Sequence, residues 1–174
     1  AVPARAERMH VEARRIPALD PQALARALDG LDAREWDCAV IVASEDEPVM
    51  AAVERAARRG IGVMTLVSDL PGSARRQFVG IDNVAAGRTA ASLIGRFCPQ
   101  GKIGVIAGSM HLRDHRERLE GFRAVLARDF PGLDVLDPVE GHDETDETRE
   151  QAAALIAAHP ELAGLYNLGA GNAG

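Results

Sequence analysis

The densest run of polar chemistry in the chain lies near its middle, Arg113-Asp114-His115-Arg116-Glu117-Arg118-Leu119-Glu120-Gly121-Phe122. Asp114 and Arg118 are four residues apart, so a helix would carry them on one face as an acceptor and a donor. Arginine suits recognition of polar groups because its five donors form a rigid fork that stays charged when water is expelled. A second polar segment, Ser68-Asp69-Leu70-Pro71-Gly72-Ser73, follows an apolar run and reads as a turn that presents the acceptor Asp69. Joined through one crossover, this turn and the charged helix start are placed to face each other across a cleft.

Other polar groupings give weaker signals. Gly169-Ala170-Gly171-Asn172-Ala173-Gly174 has the spacing of a dinucleotide-binding loop, but the following helix and acidic residue lie beyond the sequence. A glycine-rich loop at a strand end equally suits the close approach of a neutral ligand. His111, Asp114 and His115 are metal-ligating types, as are His142, Asp143, Glu144 and Asp146. Neither set has a recognised ligand spacing, so no metal and no cofactor is expected. Ser109 ends a strand without the partners of a nucleophile and reads as a ligand contact or a cap, so no catalytic residue is assigned. Asp82-Asn83 reads as a helix cap.

These groups need elements to hold them. Continuous apolar or β-branched runs predict strands at 38–43, 63–67, 78–81, 102–107, 133–139 and 162–168, with a weaker one at 10–16. Helical spacing or helix signals fill the intervals at 22–31, 48–59, 83–97, 114–128 and from about 143 to 159. Asp20 followed by Pro21 marks one helix start, and Gly60 marks one helix end. Strands alternating with helices of ten or more residues predict parallel βαβ units with right-handed crossovers. In such sheets ligands meet the loops at the carboxyl ends of the strands.

The totals narrow the function. At 174 residues the chain can bury a substantial core, built on Ala, Val, Leu and Ile because aromatics are only 3%. A net charge of -6 argues against these residues gripping nucleic acid themselves. No signal peptide is expected from this stretch, and no apolar run is long enough to cross a bilayer. Cys38 and Cys98 define neither a disulfide framework nor a metal site, and Cys38, opening an apolar strand, is expected to be buried.

Three blocks then carry a resemblance: Phe78-Val79-Gly80-Ile81-Asp82-Asn83-Val84-Ala85-Ala86-Gly87, then Gly101-Lys102-Ile103-Gly104-Val105-Ile106-Ala107-Gly108, then Arg116-Glu117-Arg118-Leu119-Glu120-Gly121-Phe122. In this order they resemble the type 1 periplasmic binding protein fold, most of all the effector-binding part of LacI-type transcriptional regulators. The resemblance implies an α/β chain of two Rossmann-like subdomains, residues 1–98 and 99–174, each a parallel sheet flanked by helices. It implies incompleteness at both ends, with the first βα unit, a DNA-binding helix-turn-helix and the final strands missing.

By the same resemblance, Arg118 clamps a sugar hydroxyl pair, Asp114 contacts ligand, and Asp69, Asn167 and Asn172 are further ligand-binding positions. Two departures stand out: Val67 replaces an expected aspartate, and Gly169 replaces an expected asparagine. The implied function is a non-enzymatic, sugar-responsive domain of a cytoplasmic regulator, a homodimer that contacts DNA through the missing helix-turn-helix and has no membrane partner. The alternative is a transporter's periplasmic sugar-binding component, and a third reading is a nucleotide-dependent enzyme using the Gly169–Gly174 loop.

Overall fold

A computed structural model describes residues 10–16 and 19–170. Its elements run α1 (Pro21–Asp29), β1 (Cys38–Ile41), α2 (Glu47–Arg58), β2 (Gly62–Leu66), β3 (Gln77–Val79), α3 (Asn83–Phe97), β4 (Gly101–Ala107), α4 (Arg113–Asp129), β5 (Leu133–Val135), β6 (Val139–Glu140), α5 (Thr145–Ala158) and β7 (Leu162–Asn167). All pairings are parallel, in two sheets.

The first sheet has the order β1-β2-β3. Pro21 starts α1 and the Asp20 carboxylate accepts from Gln22 N at 2.8 Å, as its sequence predicts. Gly60, at φ 93°, ends α2 and turns the chain into β2. Helices α1 and α2 bury Leu28, Val49, Ala52 and Val53 against Ile41 and Val63 on one face of the sheet. The opposite face, with Val40, Val42, Leu66 and Val79, is exposed and no described helix covers it.

The second sheet is built around β4. Ile103 pairs with both Val135 and Gly164, and Ile106 with both Val139 and Asn167. Strand β7 therefore takes one edge of β4, while β5 and β6 share the other. The single strand expected at 133–139 is thus two short ones, interrupted at Asp137-Pro138, where proline has no N–H to donate to a ladder. Helices α3 and α4 cover one face through Ala91, Phe122, Val125 and Leu126, with Phe122 stacked on Tyr166 at 4.4 Å. On the other face, the space above Gly104 is filled by Leu155 of α5 and by Leu165.

Helices α3 and α4 cross at backbone contact. A methyl group at Gly87 would overlap the Arg118 carbonyl, and one at Gly121 would overlap that of Val84. This crossing fixes α4, the helix with the polar face, relative to the chain segment that links the two sheets.

Two expectations fail. Residues 10–16 form no strand; they are mostly exposed, without ladder bonds to β1. Weak β-propensity without a neighbouring partner cannot satisfy the backbone of an isolated strand. Cys38 is exposed rather than buried, because β1 is an edge strand and only one face of its sheet is covered.

Candidate functional site

The carboxyl ends of both sheets meet. At the end of β2, Ser68 N bonds to Leu66 O at 2.7 Å around Val67, whose φ is 66°. This is a γ-turn of the rare positive-φ kind, strained for a β-branched residue. It turns Ser68 inward, where its buried hydroxyl accepts from Arg113 N of α4 at 3.0 Å. Nearby, Glu45 N donates to His111 O at 3.0 Å, and His111 Nδ1 lies 2.9 Å from Asp46 Oδ1. Glu45 also pairs with Arg113 at 3.3 Å and with Arg116.

Beside this seam is a hollow of about 210 Å³ lined by Ser44, Asp46, Ser109, His111, Glu140 and His142, with Leu19 and Pro21 at its edge. Its volume is below the ~300 Å³ at which ordinary small-molecule pockets begin. Its lining is rich in acceptors and imidazoles. The described residues contain no group of three or more His, Cys, Asp or Glu able to hold a metal.

Arg118 is the hub behind the hollow. Its Nε donates to Asn83 Oδ1 at 3.0 Å, one terminal nitrogen to Leu168 O at 2.5 Å, and the other lies 3.2 Å from Asp114 Oδ2. One fork thus ties the start of α3, the end of β7 and the first turn of α4. Asp114 is buried, with its side chain 3% exposed, and its Oδ1 has no hydrogen-bond partner among the described residues. Burial pushes the Tyr166 hydroxyl up from its ordinary pKa, and the charge on Arg118 opposes that shift.

The structure brings Asp114 and Arg118 together, while Asp69 and Asn167 bond within their own segments. Asp69 bonds its own turn: it accepts from Thr65 at 3.0 Å, Leu70 N at 2.8 Å and Arg75 at 2.8 Å. Burial raises its pKa, but those three donors together outweigh burial and hold the carboxyl below the usual carboxylate range. Asn167 folds onto its own loop, donating to Ala170 O at 3.0 Å and accepting from Gly169 N at 3.0 Å. Asn172 lies outside the described residues. None of Asp69, Asp114, Arg118 and Asn167 lines the hollow itself.

Sequence reasoning missed several participants. The sequence pairs Asn83 with Asp82 as a cap; Asp82 does cap α3, accepting from Ala85 N at 2.9 Å, while buried Asn83 orients Arg118. Asp143, at φ 56°, wedges its carboxylate between Gly108 and Gly169 and accepts from Ala170 N at 2.8 Å. A methyl at Gly169 would also touch the ring of buried His115. The available signal was glycine at two strand ends, which marks a close approach; the group that approaches is a carboxylate of the chain itself.

Two parallel sheets flanked by helices, with their strand ends meeting beside a polar hollow, define the α/β class of the fold. The chain belongs to the periplasmic binding protein domain family, whose pattern matches residues 7–174. It is similar to the solved ABC transporter solute-binding protein of Burkholderia graminis C4D1M in complex with D-arabinose, with 28% identity and a TM-score of 0.77 over 86% of this chain and 52% of that one. A sugar-binding protein of a sugar ABC transporter from Bacillus halodurans is 25% identical, with a TM-score of 0.67 over 86% of this chain and 51% of that one. A solute-binding protein from Agrobacterium vitis bound with α-D-tagatopyranose shares the fold at 22% identity and a TM-score of 0.77, over 86% and 53% of the two chains. The chain spans about half the length of these proteins.

Proposed function

We propose that this chain is the sugar-grasping portion of a transporter's solute-binding protein, working outside the cytoplasm as a non-enzymatic carrier. Its two lobes are the parts built on the two sheets; α3, assigned by the sequence division at 98/99 to the first, packs with α4 on the second. The observation that carries the reading is Asp114, a buried carboxylate with one oxygen lacking a donor among the described residues, held beside Arg118 where the strand ends meet. An unpaired buried acceptor is unfavourable, and a ligand hydroxyl is the neutral donor that relieves it. Family membership and the sugar-binding proteins it resembles support the same reading.

They favour a transporter component over the LacI-type regulator expected from sequence, and lend no support to a DNA partner or a homodimer. A sugar would enter where the strand ends of the two sheets meet, beside Asp114 and Arg118. Calorimetry with D-arabinose and a panel of pentoses and hexoses tests the reading. Saturable binding of one sugar, weakened at least thirtyfold by Arg118→Ala, is the expected result (about 2 kcal/mol for the lost donors). Binding that Arg118→Ala leaves intact, or no binding across the panel, defeats it.

A further inference from the structure

Helix α4 carries the polar pair but lacks a cap of its own. Its N-cap position is Leu112, a buried leucine whose side chain offers no hydrogen bond to the helix start. The first turn of any α-helix leaves N–H groups without intrahelical partners. Here the N–H of Arg113, the first helical residue, is met by the hydroxyl of Ser68, 45 positions earlier in the turn that follows β2. Ser68 is fully buried and is aimed by the strained turn at Val67. The contact is flanked by Glu45, whose carboxylate holds the side chains of Arg113 and Arg116 near the positive end of the helix dipole.

We infer that α4 is capped in trans: Ser68 of the first lobe completes the first turn of a helix in the second, so closure of the cleft and ordering of residues 113–116 are one event. Separation of the lobes takes the hydroxyl from the Arg113 N–H and the Glu45 carboxylate from both guanidiniums together. The turn bearing Asp114 then frays, and Arg118 loses its neighbour on the same face. The strain at Val67 is the counterpart of this arrangement, since a relaxed turn at that position would not deliver Ser68 to the helix. Grip on a ligand in the second lobe thus depends on a residue of the first that does not touch it.

Hydrogen exchange followed by mass spectrometry on the whole chain tests this without any ligand. Ser68→Ala is expected to speed exchange in the peptide covering 112–118 about fivefold, the loss of one N-cap bond, while 122–129 in the same helix is unchanged. Ser68→Thr keeps the hydroxyl and is expected to restore slow exchange. Glu45→Gln leaves the cap atom in place, and is expected to speed 112–118 and 66–70 together as the lobes part. Unchanged exchange at 112–118 in Ser68→Ala overturns the proposal. So does an equal rise at both ends of α4, which would mark general destabilisation rather than a lost cap.

Discussion

Substituting Gly87 by alanine sets two opposed effects against each other, and the helix crossing decides the sign. In an exposed helix the change stabilises, because alanine is favoured over glycine by about 1 kcal/mol. At Gly87 the new methyl would overlap the Arg118 carbonyl, which is backbone and has no rotamer with which to yield. Relief requires α3 and α4 to move apart, opening the layer that contains Ala91, Phe122 and Val125. Overpacking of this kind costs about 1–3 kcal/mol, and contact between two backbones belongs at the upper end. The net expectation is a loss of about 2 kcal/mol, or a fall of about 6 °C in Tm for a chain of this size. Urea denaturation followed by far-ultraviolet circular dichroism measures it. Gly30→Ala is the control: Gly30 has φ -76°, and a methyl there meets nothing nearer than 3.4 Å, so a gain of about 0.5 kcal/mol is expected. A Gly87→Ala protein as stable as its parent, or more so, would refute the close crossing.

Arg118→Ala is expected to lower stability by about 3 kcal/mol in the same assay, because Asp114 would be left as a buried, uncompensated charge. Arg118→Lys, which keeps the charge without the fork, should lose less than half as much. Asp69 sets a pH dependence. Its folded pKa lies below the unfolded value of about 3.9, so its stabilisation is complete above that pH and is lost as the pH falls through the folded value. Urea midpoints between pH 5 and pH 2 should therefore fall less steeply in Asp69→Asn than in the parent; parallel slopes would remove Arg75 and Thr65 as the cause.

The alternation of strands and helices was legible because period and punctuation are local properties. Asp20-Pro21, Gly60 and Asp82 fixed element ends through their own backbones. The split of β5 from β6 was also written locally, in Pro138, though a continuous strand was expected there. The face of α4 bearing Asp114 and Arg118 followed from spacing alone. What escaped were pairings set by tertiary approach. Nothing near Ser68 shows that it serves a helix 45 residues away, and nothing near Asp69 shows that Arg75 will claim it. Asp143 required knowing that the ends of β4 and β7 lie side by side, which makes two separate glycines the walls of one slot. Residues 10–16 misled for the opposite reason: their pattern suits a strand, but pairing belongs to the neighbour as much as to the segment.

The apolar side of the first sheet bears on how the chain is best handled in solution. Val40, Val42, Leu66 and Val79 form a greasy plate that no described helix covers, and the net charge of -6 opposes the meeting of two such plates. Near pH 5.4 that repulsion vanishes, and concentrated salt screens it at any pH. Purification and storage belong in dilute, mildly alkaline buffer, where the molecules remain colloidally separate.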